Sequence, residues 1–449
     1  MFRLHSRAGR WPLALYITAL TGLGACADDE RSITGPAAHA VEPHMALGEV
    51  ITVATARDGS EVGSLRWAVA QATGGEVIGF DPRLAGCTIT LDSTLFISSS
   101  VIIEGPADRG ITISGGGRGR VIDVAVADFY QPATTLRNLS VTGGKLEAEG
   151  GAGIRASSPL VLEHTTVWGN EAVGAPAILT FGRGVLTLVN STVSGNTSTG
   201  YLYPAISAGG NTTIHNSTIA YNSQGGIGFS EFAESVLRNS IVANNGGPLN
   251  DCINAHAVRH EGTNLSNDMS CGDSTVMLIA DPQLESLRDN GGPSMTHALA
   301  TTSPAFNGTL GNCALAVDQR HEPRDARCDI GAFESTVPTT VTIAIDRLAS
   351  LYVAGNSAIV SGTLTCSRDG DQLALQVSAW QRGANKTTVD GSGEVNVTCS
   401  TSARPWTASV VPSAGAYTGG SASATATTHQ APSWVAPGTA SRKIRIVAP

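Results

Sequence analysis

Asn138-Leu-Ser-Val, His164-Thr-Thr-Val, Asn190-Ser-Thr-Val, Asn216-Ser-Thr-Ile and Asn239-Ser-Ile-Val are one element written five times, with starts 26, 26, 26 and 23 residues apart. A period of roughly 20 to 50 residues built from short β-type segments belongs to stacked coils, each unable to bury its apolar face without its neighbours. Every period carries two more matching segments. A Gly/Asn turn follows the signature, at Gly143-Gly144, Gly169-Asn170, Gly195-Asn196, Tyr221-Asn222 and Asn244-Asn245. A second strand then centres on Ile154, Ile178, Ile206 and Ile227, and a third on Leu160-Val-Leu162, Leu186-Thr-Leu188, Thr213-Ile214 and Val236-Leu237. Three short strands per period, with alternating apolar residues and no helix long enough for a crossover, predict an all-β parallel β-helix.

The Asn138, His164, Asn190, Asn216 and Asn239 column is the most regular polar feature. Its spacing predicts an internal ladder in which side-chain amides bond their equivalents about 4.8 Å above and below. A row of ligand-binding amides is the functional alternative. The Asn-x-Ser/Thr matches also fit glycosylation acceptors, but the repeat accounts for them.

The chain has 449 residues, 52 Gly, 14% charged and 5% aromatic residues. That length accommodates two domains. Arg3, Arg7 and Arg10 precede an apolar run from Trp11 to Ala25 that ends in Leu23-Gly24-Ala25-Cys26. This reads as a secretory signal over 1–25, too short and wrongly flanked for a membrane span. Removing it takes three Arg and no acid, so the formal charge moves from −9 to −12. With three Lys, at 145, 386 and 443, and no basic face evident, nucleic acid is not an expected partner. Residues 26–48 read as a flexible tether.

In an exported chain, cysteines are read first as disulfides. Local spacing predicts Cys252–Cys271, Cys313–Cys328 and Cys366–Cys399, leaving Cys87 alone; no Cys-x-x-Cys pair argues for zinc. Val50-Ile-Thr-Val53 reads as a first strand, and Ser64–Gln71 as an amphipathic helix with Ser64 as N-cap, closing the open end of the stack. Further strands are expected at Thr88–Leu91, Leu95–Ile97, Val101–Ile103, Ile111–Ile113 and Val121-Ile122. Beyond Val337-Pro338, alternating segments between Gly, Asp-Gly and Pro turns, with Trp380 between Cys366 and Cys399, predict an immunoglobulin-like sandwich over 336–430. Residues 431–449 read as a tail whose Arg442-Lys-Ile-Arg445 is a candidate edge strand.

Three stretches carry resemblances. Leu23-Gly-Ala-Cys26 resembles the lipobox of bacterial lipoproteins, which implies lipid on Cys26; Ala27 stands where an inner-membrane retention Asp would be, so an outer-membrane or surface location follows. Gly63-Ser-Leu-Arg-Trp-Ala68 resembles the Cys-Ser-Leu-Arg-Glu-Ala opening of bacterial secreted β-helix proteins, with Gly63 for the Cys and Trp67 for the Glu. Asp281-Pro-Gln-Leu, Leu287-Arg-Asp-Asn-Gly-Gly-Pro293, Ser303-Pro-Ala305, Cys313, Asp318-Gln-Arg320 and Cys328-Asp-Ile-Gly-Ala-Phe-Glu334 resemble the closing region of choice-of-anchor Q proteins, departing at Phe306-Asn307 and His321. This resemblance implies a pectin-lyase-like right-handed β-helix over 49–335 and no defined reaction.

Carbohydrate-active β-helices need carboxylates with a basic partner, or a calcium cage, on one outward face. After the second-segment Ile come Arg155, Leu179, Ser207 and Gly228, so no acidic column forms. Glu147, Glu149, Glu163, Glu171, Arg155 and Arg183 are the candidates to converge in a loop-lined groove, against a reading as scattered solvated charges. Asp318, Arg320, Arg324, Asp325 and Asp329 read as ion pairing in a cap. His256 and His260 have a metal-helix spacing without its Glu, and Trp380, Trp406 and Trp434 are candidates for a sugar platform or for packing. The expectation is a monomeric, cofactor-free surface module binding a polysaccharide or surface ligand; a lyase or glycosidase is the alternative.

Overall fold

The computed structural model describes residues 50–127, 132–182, 184–200, 203–247, 249–300, 302–309, 313–335, 339–352, 356–367, 371–383, 387–431 and 435–448. The expected signal, tether and Cys26 lie outside them.

Three parallel sheets wind into a right-handed β-helix of about 8 turns, followed by a separate barrel-like β region. Face one has nine strands, from Val50–Val53 to Val258–Glu261; face two has seven, from Leu95–Ile97 to Cys252–Ile253; face three has nine, from Thr88–Thr90 to Leu278–Ile279. The sequence period is the hydrogen-bonding register. Ile154 pairs with Ile178, which pairs with Ile206, which pairs with Ile227. Leu136, Leu162, Leu188, Ile214 and Leu237 likewise stack with no exposure, each burial stabilising by about 1.5–3 kcal/mol. The helix Leu65–Gln71 closes the first coil. Ser64 Oγ accepts from the Trp67 amide at 3.0 Å, and Leu65, Ala68 and Val69 are buried.

The Asn column is a backbone feature. Asn138, His164, Asn190, Asn216 and Asn239 have φ of 57°, 50°, 43°, 45° and 47°. Each opens the one- or two-residue corner between a face-one and a face-three strand. A left-handed corner is costly for most L-residues and least so for Asn and His after Gly. Their side chains do not form the expected ladder: Asn138, His164 and Asn190 bond residues 317–321 instead, and Asn216 has both amide atoms buried without a partner.

Two other columns are the ladders. Asn170 Nδ2 donates to Asn196 Oδ1 at 3.0 Å, Asn196 to Asn222 at 3.0 Å, Asn222 to Asn245 at 2.8 Å, and Asn245 to Asp251 Oδ1 at 2.9 Å. Each oxygen also accepts the backbone N–H of the coil before. One residue beyond the corner, Thr165, Ser191, Ser217, Ser240 and Asn264 form a second column, each side-chain oxygen accepting an amide from the preceding coil.

Residues 281–335 fold back along face three. Thr166 Oγ1 donates to the Met295 carbonyl, Thr192 Oγ1 to Gln319 Oε1, and Thr218 Oγ1 accepts from the Ala332 amide. The His164 and His321 rings stack at 4.1 Å. Face three is thereby buried on both sides over Thr192–Ser194, Thr218–Ala220 and Ile241–Ala243.

The expected C-terminal β domain is present as eight strands in one sheet, from Val341–Ile345 to Thr439–Val447, which closes where Ser357–Cys366 pairs with Arg404–Pro412. Thr439–Val447 lies between Leu348–Tyr352 and Gly420–Gln430. The stretch read as a tail with an edge strand is an interior strand of this sheet.

Cys252–Cys271, Cys313–Cys328 and Cys366–Cys399 are disulfides with Cα separations of 4.9, 5.7 and 5.4 Å. Cys87 is the correction: it is disulfide-bonded and not a lone thiol.

Candidate functional site

On face two, Phe96, Asp123 and Arg155 stand in one outward column, continued by Leu179, Ser207, Gly228 and Ile253. Asp123 accepts from Arg155 Nε at 3.2 Å through both carboxylate oxygens, and Arg120 Nη1 approaches it at 3.7 Å. Glu149, from the loop after Lys145–Leu146, accepts from Arg120 Nη2 at 2.8 Å and lies 3.5 Å from Arg155 Nη1. Two acids and two guanidinium groups are thus mutually neutralised. Arg120, and then Arg155, hold the Glu149 carboxyl below its usual range, and the bonded Asp123 raises Arg155. Beside this quartet a recess of about 160 Å³ is lined by Glu149, Val173, Leu179, Tyr203 and Ser207.

The other candidates do not converge there. Glu163 is on face one, where it accepts from Arg137 Nε at 2.7 Å, with Glu104 3.4 Å from the same guanidinium. Glu171 pairs with Lys145 at 3.0 Å in a small three-stranded sheet. Glu147 is exposed and makes no ion pair among the described residues. Arg183 lies outside the described residues. One groove containing all six is therefore not what the structure forms, because three different faces carry them.

Asp123 and Arg120 are the members that sequence reasoning missed. The coil holding them precedes the regular period: Ile122 pairs with Ile154, 32 residues on, because residues 125–133 lengthen that turn. Extending the Ile column across that longer coil would have placed Asp123 beneath Arg155.

The charged group of the closing region does assemble, around Cys313–Cys328. Arg320 Nη2 bonds Asp318 at 2.8 Å and its guanidinium lies 3.8 Å over the Phe333 ring. The fully buried Arg324 bonds Glu334 at 3.1 Å and Asn190 Oδ1 at 3.1 Å. Asp329 accepts the amides of Asn307 and Ser335. Burial pushes the Glu334 carboxyl up to about 7, with Arg324 opposing, and burial beside Glu334 pushes Asp329 well up. Burial side by side favours the neutral form of each carboxyl. This is a buckle tying the closing region to the corner column, with no opening to substrate.

His256 falls in the 3-10 turn Ala255–Ala257 and His260 in the strand Val258–Glu261, so the helical metal spacing is not realised. Among the described residues no group of three or more His, Cys, Asp or Glu side chains is placed to hold a metal ion. Trp406 is 3% exposed inside the barrel and Trp380 53% exposed outside it, so these two share no platform; Trp434 lies outside the described residues. Compared with protein-family models and with curated proteins, the chain matches neither a family model nor a curated sequence.

Proposed function

We propose that this chain is an exported surface module whose β-helix binds a polysaccharide or surface ligand without transforming it. One observation carries the reading: Asp123, Glu149, Glu163 and Glu171 are each engaged by Arg or Lys, whereas Asp329 and Glu334, with their raised pKa, are enclosed in the closing region. Acid–base cleavage of a glycan needs a carboxyl in the cleft with its proton poised near working pH. The resemblance to choice-of-anchor Q and Cys-Ser-Leu-Arg-Glu-Ala-type exported proteins supports the same reading, as do three disulfides. A screen of residues 27–449 against acidic and neutral polysaccharides should find binding with neither unsaturated products nor new reducing ends. Sustained product formation would promote the lyase or glycosidase reading.

The lipobox reading places the protein at an outer membrane or cell surface through lipid on Cys26. Mass spectrometry of the mature N-terminus from a native-like host tests the anchor: a diacylglyceryl Cys26 supports it, and an unmodified Cys26 or a chain beginning elsewhere overturns it.

A further inference from the structure

The barrel carries a feature that the β-helix reading does not use. On its solvent face Trp380 pairs across with Ser423, and Ser423 with Lys443; one row along, Ser421 pairs with Arg445 and Leu348 follows Arg445. Arg382 projects on the same side as Trp380, two residues along its strand. With Arg347 and Arg442, Trp380, Arg382, Ser421, Ser423, Lys443 and Arg445 line a cleft of about 610 Å³ that contains five cations, one aromatic ring and no acid. Arg442 donates to the Ile345 carbonyl. Arg347, Arg382, Lys443 and Arg445 make no ion pair among the described residues. In a chain of net charge −9 with only three Lys, this concentration of unneutralised positive charge differs in sign from the rest of the molecule. It differs equally from the face-two quartet, where every guanidinium is matched by a carboxylate.

We infer that this cleft is a binding site for an acidic polysaccharide, Trp380 stacking on a sugar ring while Arg382 along its strand and Lys443 with Arg445 across the sheet bind neighbouring carboxylates. Adjacent strands lie about 4.8 Å apart, so Lys443 stands roughly 10 Å across the sheet from Trp380, with Ser423 between them. Spacing on that scale suits charges on successive residues of a polymer that runs across the sheet from the stacked ring. Ser421 and Ser423 supply hydroxyls where sugar hydroxyls would lie. Exposed Trp faces are suited to such amphipathic rings, and guanidinium forks to carboxylates. A single-stranded nucleic acid is disfavoured because it is held by successive stacked bases on several aromatics, and Trp380 is the cleft's one ring.

The test uses the full chain and polygalacturonate, with dextran as neutral control and a single-stranded oligonucleotide as the competing polyanion. Affinity electrophoresis should show retardation by polygalacturonate alone. Trp380→Ala should weaken binding about tenfold, and Lys443→Glu with Arg445→Glu should abolish it, with unchanged circular dichroism because all three side chains are exposed. Arg382→Glu gives an independent loss if the paired reversal fails to fold. Tighter binding of the oligonucleotide, binding insensitive to Trp380→Ala, or binding lost only with Arg155 or Glu149 substitutions would overturn the assignment. Because the variants lie in the barrel, the result stands apart from that for the β-helix.

Discussion

Asn196 and Asn216 show how differently the same residue serves in one fold. Asn196 is fully buried with every amide hydrogen-bonding group used, accepting from Asn170 and donating to Asn222, Val167 and Ser194. Asn216 is equally buried, but its φ of 45° is its contribution and its amide is unsatisfied. Net hydrogen bonds are worth about 1 kcal/mol, and stranded buried partners about 1–3 kcal/mol. Asn196→Ala should therefore lower stability by about 2–4 kcal/mol in urea denaturation. Asn216→Gly, which suits the left-handed corner and removes two orphaned polar atoms, should change it by less than about 1 kcal/mol. Equal losses in both would mean the corner amides stack after all. His164 already held the sign that they do not: an imidazole cannot extend an amide ladder, yet it tolerates positive φ. The true ladder was written in the Gly/Asn turns, where Gly169 and Gly195 supply the positive φ and the next residue, Asn170 or Asn196, supplies the amide.

The closing region is held by charge as well as by fit. Glu334 has an unfolded value near 4.5 and a folded value of about 7, so the folded state binds more protons between those limits. With a carboxyl raised on folding, the linkage slope is negative: stability contributed by the neutral form is present below about 4.5 and is lost as pH rises towards 7. Hydrogen exchange of residues 313–335 should accordingly quicken from pH 5 to pH 7 beyond the intrinsic chemical rate. Glu334→Gln should flatten that dependence, while a pH-independent opening free energy in the unaltered chain would show that Glu334 does not titrate in this window. The ion pairs Asp318–Arg320 and Arg324–Glu334 sit in blocks that the sequence marks clearly. Their docking on Asn138, His164 and Asn190 joins positions more than 130 residues apart, for which no local period exists. The same limit applies to face two. Arg155 was legible from the 26-residue repeat, but its partner Asp123 stood in a coil of different length, and Glu163 and Glu171 turned to other faces because strand alternation decides direction.

At the scale of the molecule, stacking three short strands per coil leaves faces one and two open and seals face three under residues 281–335. The Asp123, Glu149, Glu163 and Glu171 carboxylates of the coils are paired with Arg or Lys, and five cations gather in the barrel cleft. No helix among the described residues is long and apolar enough to cross a membrane. The central claim is that Arg155 and its carboxylates maintain the coil surface and perform no chemistry. The most direct measurement compares the unaltered chain with Arg155→Ala for thermal midpoint and for polysaccharide turnover. Removing Arg155 leaves the largely buried Asp123 with Arg120 alone, at a cost of about 2 kcal/mol. The account predicts a lower midpoint in the variant and no turnover in either protein; turnover by the unaltered chain that vanishes in a folded Arg155→Ala variant would contradict it.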